Sequence, residues 1–87
     1  MPSRFGQVAA MSERILYRID PSRNMARFYV LDKQPTLFGE ISLVRGWGRI
    51  GTNGRIKIET FGTGEGADRA FCRLEARKRR RGYRDPC

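Results

Sequence analysis

From Arg14 onward the apolar positions fall at every second residue, the period of an extended chain with one face turned inward. In "RILYRID" (14–20), Ile15, Tyr17 and Ile19 share one side while Leu16 and Arg18 share the other. "DPSRN" (20–24) is rich in turn formers, and "MARFYVLD" (25–32) resumes the alternation, with Phe28 and Val30 opposed to Arg27, Tyr29 and Leu31. "KQPT" breaks that strand, and "LFGEISLVRGW" (37–47) predicts a third, bent at Gly39. Asn53-Gly54 carries the signal of a type I′ hairpin, since both residues tolerate positive φ. It would join a short strand from Trp47 to Ile50 to "RIKIETF" (55–61), where Ile56, Ile58 and Thr60 alternate with Arg55, Lys57 and Glu59.

Past Phe61 the period changes to that of a helix. Ala67, Ala70, Phe71 and Leu74 fall at i, i+3, i+4 and i+7, a narrow stripe able to lie on a sheet. Thr63 is placed as N-cap, Glu65 and Asp68 lie near the positive end, and Arg77 to Arg81 crowd the negative end. Gly82 is placed to stop the helix. The order predicts an α+β fold: a small antiparallel sheet of about five strands with one C-terminal helix, over about 64–80, across one face. Residues 1–12 show neither period and read as a flexible leader, followed by a domain over 13–83 and a basic tail end at 84–87.

Composition narrows the function. Eighteen Lys and Arg against nine Asp and Glu give a net charge of +9, and fifteen of the eighteen cations are arginine. The guanidinium is a planar fork of donors suited to phosphates and to stacking on bases, so nucleic acid is the partner this charge favours. Histidine is absent and there are only two cysteines, Cys72 and Cys87. No histidine-based triad can be built, and a four-ligand zinc site has no ligand set. Glu40, Glu59 and Asp32 show no spacing that suggests acid–base catalysis. The expectation is therefore no enzyme, no metal and no cofactor. With no apolar run long enough for a membrane span and no secretory signal, the expected location is cytoplasmic, or nucleoid-associated if bound to DNA.

"RGWGRIGTNGR" (45–55) holds the one tryptophan, with glycine on each side and Arg45 and Arg49 beyond. On a strand, Arg45, Trp47 and Arg49 point to one side. Glycine neighbours would leave the indole as a flat, accessible platform for a base or sugar, with arginines for the adjoining phosphate. The competing reading makes Trp47 a plug at a sheet edge, with the glycines marking a bulge.

The ordered set Asn24, Arg27-Phe28-Tyr29, Trp47-Gly48-Arg49-Ile50-Gly51 and a Phe-x-x-Leu helix ending in "GY" resembles the WGR domain, over about Arg14 to Tyr83. The family is named for its Trp-Gly-Arg signature and occurs in DNA-dependent poly(ADP-ribose) polymerases and in bacterial proteins. The resemblance implies a small antiparallel sheet crossed by one helix. It also implies a reader of DNA ends, in which Trp47 packs on the terminal nucleotide and Arg49 contacts phosphate or a partner. Arg27 falls where the family often places a phosphate-directed cation. Ala26 stands where some DNA-binding members carry a polar side chain, and ADP-ribosyl transfer, which belongs to a separate catalytic domain in the polymerases, is not expected to carry over.

The candidate nucleic-acid-binding residues are Arg27, Arg45, Trp47, Gly48, Arg49, Arg55, Arg79, Arg80 and Arg81. The last three belong to "RKRRRGYR", six cations in eight residues, expected to act as a flexible arm on phosphate. Arg69, Arg73 and Arg77 are expected on the solvent side. The leading function is a non-catalytic module for DNA, or RNA, that recognises ends, nicks or junctions. The alternative is an adaptor that docks a protein on the Trp-Gly-Arg face.

Overall fold

The computed structural model describes residues 12–85. The sheet is a four-stranded antiparallel meander, β1 (Ser12–Asp20), β2 (Met25–Pro35), β3 (Ile41–Arg49) and β4 (Arg55–Phe61), in spatial order β1-β2-β3-β4. One helix, α1 (Gly64–Arg80), lies across it. The leader expected over 1–12 lies outside the described residues except for Ser12, which begins β1.

Four strands replace the expected five because the third and fourth are one. β3 pairs with β2 from Ile41↔Pro35 to Arg49↔Arg27 and with β4 from Ile41↔Phe61 to Trp47↔Arg55. The register is unbroken on both sides of Trp47, so no bulge sits there. β2 in turn runs on to Pro35, whose missing N–H costs nothing at the last pair of a strand. Residues 37–39 belong to the turn instead. The Thr36 hydroxyl accepts from the N–H groups of Phe38 and Glu40 (3.2 Å each), and Gly39 takes φ +81°. Leu37 and Phe38 therefore stand in solvent, 98% and 86% exposed.

The β3–β4 connection also departs from the two-residue hairpin. It spans residues 50–54, with positive φ at Gly51 (+96°) and Gly54 (+68°) but not at Asn53. Thr52 closes it by donating from N–H (3.0 Å) and from its hydroxyl (2.8 Å) to the Arg49 carbonyl.

Alternation places Leu16, Tyr29, Leu31 and Leu43 on the face that meets α1, where Ala70, Phe71, Leu74 and Tyr83 complete the core. Thr63 caps α1, its hydroxyl accepting from Gly66 N–H at 3.1 Å. At the other end Gly82 (φ +98°) donates to the Arg79 carbonyl and Tyr83 to the Lys78 carbonyl (3.1 Å each). Those two bonds are a Schellman closure, which turns the chain back and buries Tyr83.

The basic segment is thus no free arm. Arg77 to Arg80 are helical, and Arg84 exchanges backbone bonds of 2.7 and 2.8 Å with Tyr17 on the outer edge of β1.

Candidate nucleic-acid interface

The helix stripe continues past its apolar part at the same spacing. After Leu74 the next inward positions are Arg77, Lys78 and Arg81, and all three line a cleft of about 180 Å³ with Tyr29, Arg45 and Trp47. A second, more open cleft of about 500 Å³ lies along the other side of the indole, lined by Arg27, Gly48, Arg49, Lys78 and Tyr83. Trp47 and Lys78 border both clefts.

The sheet register explains the assembly. Tyr29 pairs with Trp47, Arg27 with Arg49, Leu31 with Arg45 and Trp47 with Arg55, so these side chains share the helix-bearing face. Trp47 is half-buried, packed against the core rather than standing free. Its flanking glycines project to the opposite face. A Cβ on Gly48 would come within 2.7 Å of Gly54 Cα, and one on Gly54 within 2.2 Å of the Trp47 carbonyl and 2.8 Å of the Phe28 ring. The glycine at Gly48 therefore lets the β3–β4 connection close against β3 over Phe28. By strand alternation a side chain there would point away from the indole.

Lys78 is held between two rings, its ammonium 4.6 Å from the Tyr29 centroid and 5.3 Å from that of Tyr83. The two tyrosines meet edge to face at 6.2 Å. Burial, and then the neighbouring Arg81, Arg45, Arg77 and Arg27, push the Lys78 amine below its ordinary value of 10.5. Burial pushes the Tyr29 phenol up, with Arg45 beside it pulling the other way. The Nε of Arg45 is buried with no hydrogen-bond partner among the described residues.

Of the residues singled out in the sequence, Arg27, Arg45, Trp47, Gly48, Arg49 and Arg81 line the clefts. Arg55 is exposed on the same sheet face, across from Trp47. Arg80 is exposed at the helix end and borders neither cleft. Arg79 is turned away: it bonds Glu75 (2.9 Å) and Asp85 (3.0 Å), while Glu75 also meets Arg14 (3.3 Å). Arg77, expected on the solvent side, instead lines the smaller cleft while staying exposed. Lys78, Tyr29 and Tyr83 do not stand out in the sequence as site residues. The signal for Lys78 is nonetheless present, since 74, 77, 78 and 81 extend the stripe of 67, 70, 71 and 74; Tyr83 depends on the Schellman reversal, which a local pattern does not reveal.

A model of the WGR domain matches residues 12–87, nearly the whole chain. This protein belongs to the WGR family. Among curated proteins it is similar to the uncharacterized protein y4dW of Sinorhizobium fredii (strain NBRC 101917 / NGR234), 55% identical over 67 residues. That match covers 77% of this chain and 33% of the relative, so the WGR chain spans about a third of that protein's length. No solved structure matches the chain. The signature residues Trp47, Gly48 and Arg49 thus sit at one end of β3, under the C-terminal turn of the helix. No described helix of this WGR domain is long and apolar enough to cross a membrane.

The perturbed lysine gives a first prediction. The unfolded chain holds the Lys78 proton more tightly than the folded one, so stability should rise as pH climbs from the lowered value towards 10.5. A polyanion in the cleft offsets the arginines and restores the proton. Its affinity should therefore fall over the same rise in pH, and binding within that range should take up protons. Lys78→Arg, which does not titrate there, should flatten both profiles. Chemical denaturation and binding titrations across that interval, with calorimetry in buffers of differing ionisation heat, provide the measurement.

Proposed function

We propose that this WGR domain is a non-catalytic nucleic-acid-binding module that takes DNA ends, nicks or junctions at Trp47. One observation carries the reading. The two clefts beside the indole are lined by Arg27, Arg45, Arg49, Arg77, Lys78 and Arg81, and no carboxylate lines either. Four other acids are engaged with cations outside the clefts: Glu75 and Asp85 with Arg79, Asp68 with Lys33, Asp20 with Arg23. Cations held together without counter-charge repel one another, and a phosphate chain relieves that repulsion while releasing its own counterions.

The aromatic supplies the preference for ends. Inside a continuous duplex the sugar and base faces are covered by their neighbours. An indole on a rigid strand reaches them only where the stack stops or is interrupted. Tyr29 and Tyr83 back the site from below, and the Arg45 Nε is a donor already stripped of water.

The test uses the single tryptophan as its own reporter. Blunt and nicked duplexes should quench or shift the Trp47 emission, and a covalently closed circle should do so much less. Trp47→Ala should weaken end binding by about 1–3 kcal/mol, the range for stacked bases. Because the indole is half-buried, that variant should also lose about 1–2 kcal/mol of stability. Equal response to closed and open DNA would remove the end preference. No response to any nucleic acid would move the protein-adaptor reading ahead.

A further inference from the structure

We infer that the open edge of β4 is a self-complementary surface through which two copies of this domain join their sheets. β4 is the last strand of the sheet and pairs only with β3. The opposite edge is partly closed, since Arg84 bridges to Tyr17 on β1. Among the described residues nothing comparable covers β4. Arg55 to Thr60 are all exposed, with Ile56 and Ile58 at 56% and 63%. The strand holds no proline, glycine or bulge that would blunt the edge, only alternating charges.

Those charges select the occupant. Antiparallel pairing about a two-fold axis at Ile58 uses all seven residues. Each Lys57 then faces the other copy's Glu59, the two Ile58 side chains meet, and Ile56 faces Thr60. Shifting the axis to Glu59 sets Glu59 against itself, and shifting it to Lys57 sets Lys57 against itself between two Arg55–Glu59 pairs, so of these three the Ile58 axis alone uses all seven residues with no like charges opposed. Neither Lys57 nor Glu59 has an ion-pair partner among the described residues of its own chain. The charge pattern thus favours one full-length register of a second copy.

The axis is perpendicular to the sheet, so both helices and both Trp47 clefts stay on one face. Strand spacings of 3.3 Å along and 4.8 Å across put the two indoles roughly 25 Å apart. If the clefts hold DNA ends, which rests on the function proposed above, the dimer would hold two of them side by side.

The experiment needs no nucleic acid, so it stands whether or not DNA binding does. Sedimentation velocity of the full chain at roughly 0.15 M salt, where the repulsion between two +9 chains is screened, should show a concentration-dependent dimer. Lys57→Glu should weaken it about tenfold or more, Glu59→Lys likewise, and the double exchange should restore it. In a Cys72→Ser, Cys87→Ser background, Ile58→Cys should form an intermolecular disulfide on oxidation. Ile19→Cys, equally exposed (64%) but on β1, should not. A monomer at every concentration with no Ile58→Cys cross-link overturns the inference, as does a dimer indifferent to the charge reversals.

Discussion

Leu74→Ala is expected to cost this domain about 2–5 kcal/mol, a large part of the stability of so short a chain. Leu74 is 8% exposed and belongs to the core cluster that joins α1 to Tyr29, Leu31 and Leu43. No redundant layer exists beneath it among the described residues, because α1 is the one helix packed on this face and its inward stripe is short: Ala67, Ala70, Phe71 and Leu74. Two of those are alanines, so Phe71 and Leu74 supply most of the apolar area on the helix side. The hole left by alanine would open into the cleft that Leu74 also lines, where water can enter but offers no packing. Urea denaturation followed by circular dichroism checks the value. A loss under about half a kcal/mol would mean that the helix does not hold the sheet as described. The same variant should loosen Arg77, Lys78 and Arg81, which are carried on the next turn, and so weaken polyanion binding at temperatures where the fold survives.

The fold is legible in the sequence because its signals are local. Period two through Phe61, period 3.6 after it, Thr63 before the helix and Gly82 after it each state a backbone preference that the tertiary structure keeps. The number of strands is misleading where two local rules compete with tertiary pairing. Asn53-Gly54 suggests a tight hairpin, but Gly54 is glycine because the Trp47 carbonyl and the Phe28 ring come too close for a Cβ. Leu37 and Phe38 suggest a buried strand start, yet the Thr36 hydroxyl folds that stretch into a turn. The candidate site is legible on the sheet, since Arg45, Trp47 and Arg49 must share a face. On the helix it is half legible. Charge density alone marks Arg79, Arg80 and Arg81 equally, whereas the turn of the helix sends Arg81 into the cleft and Arg79 to Glu75 and Asp85. A run of like residues hides its own geometry.

That difference among adjacent arginines sets the second large effect. Replacing Arg45 and Arg81 together with alanine should lower the log–log salt slope of duplex binding by about 1.8, at about 0.9 for each phosphate left without its cation. At 0.1 M salt, a slope change of that size corresponds to about sixtyfold weaker binding from counterion release alone. Both side chains line the smaller cleft, and neither forms an ion pair among the described residues, so their removal strands no carboxylate. The control is Arg73 with Arg79, which removes the same formal charge from outside both clefts. Arg79 is already neutralised by Asp85 and Glu75, which hold its guanidinium above its ordinary value, so its charge is spent before DNA arrives. Removing it should instead free Asp85, leave Glu75 to Arg14 alone and cost a little stability, with the slope nearly unchanged. Titrations at several salt concentrations, with circular dichroism to verify folding, separate these outcomes. Equal slope changes for the two double variants would mean that net charge, rather than the clefts beside Trp47, governs binding.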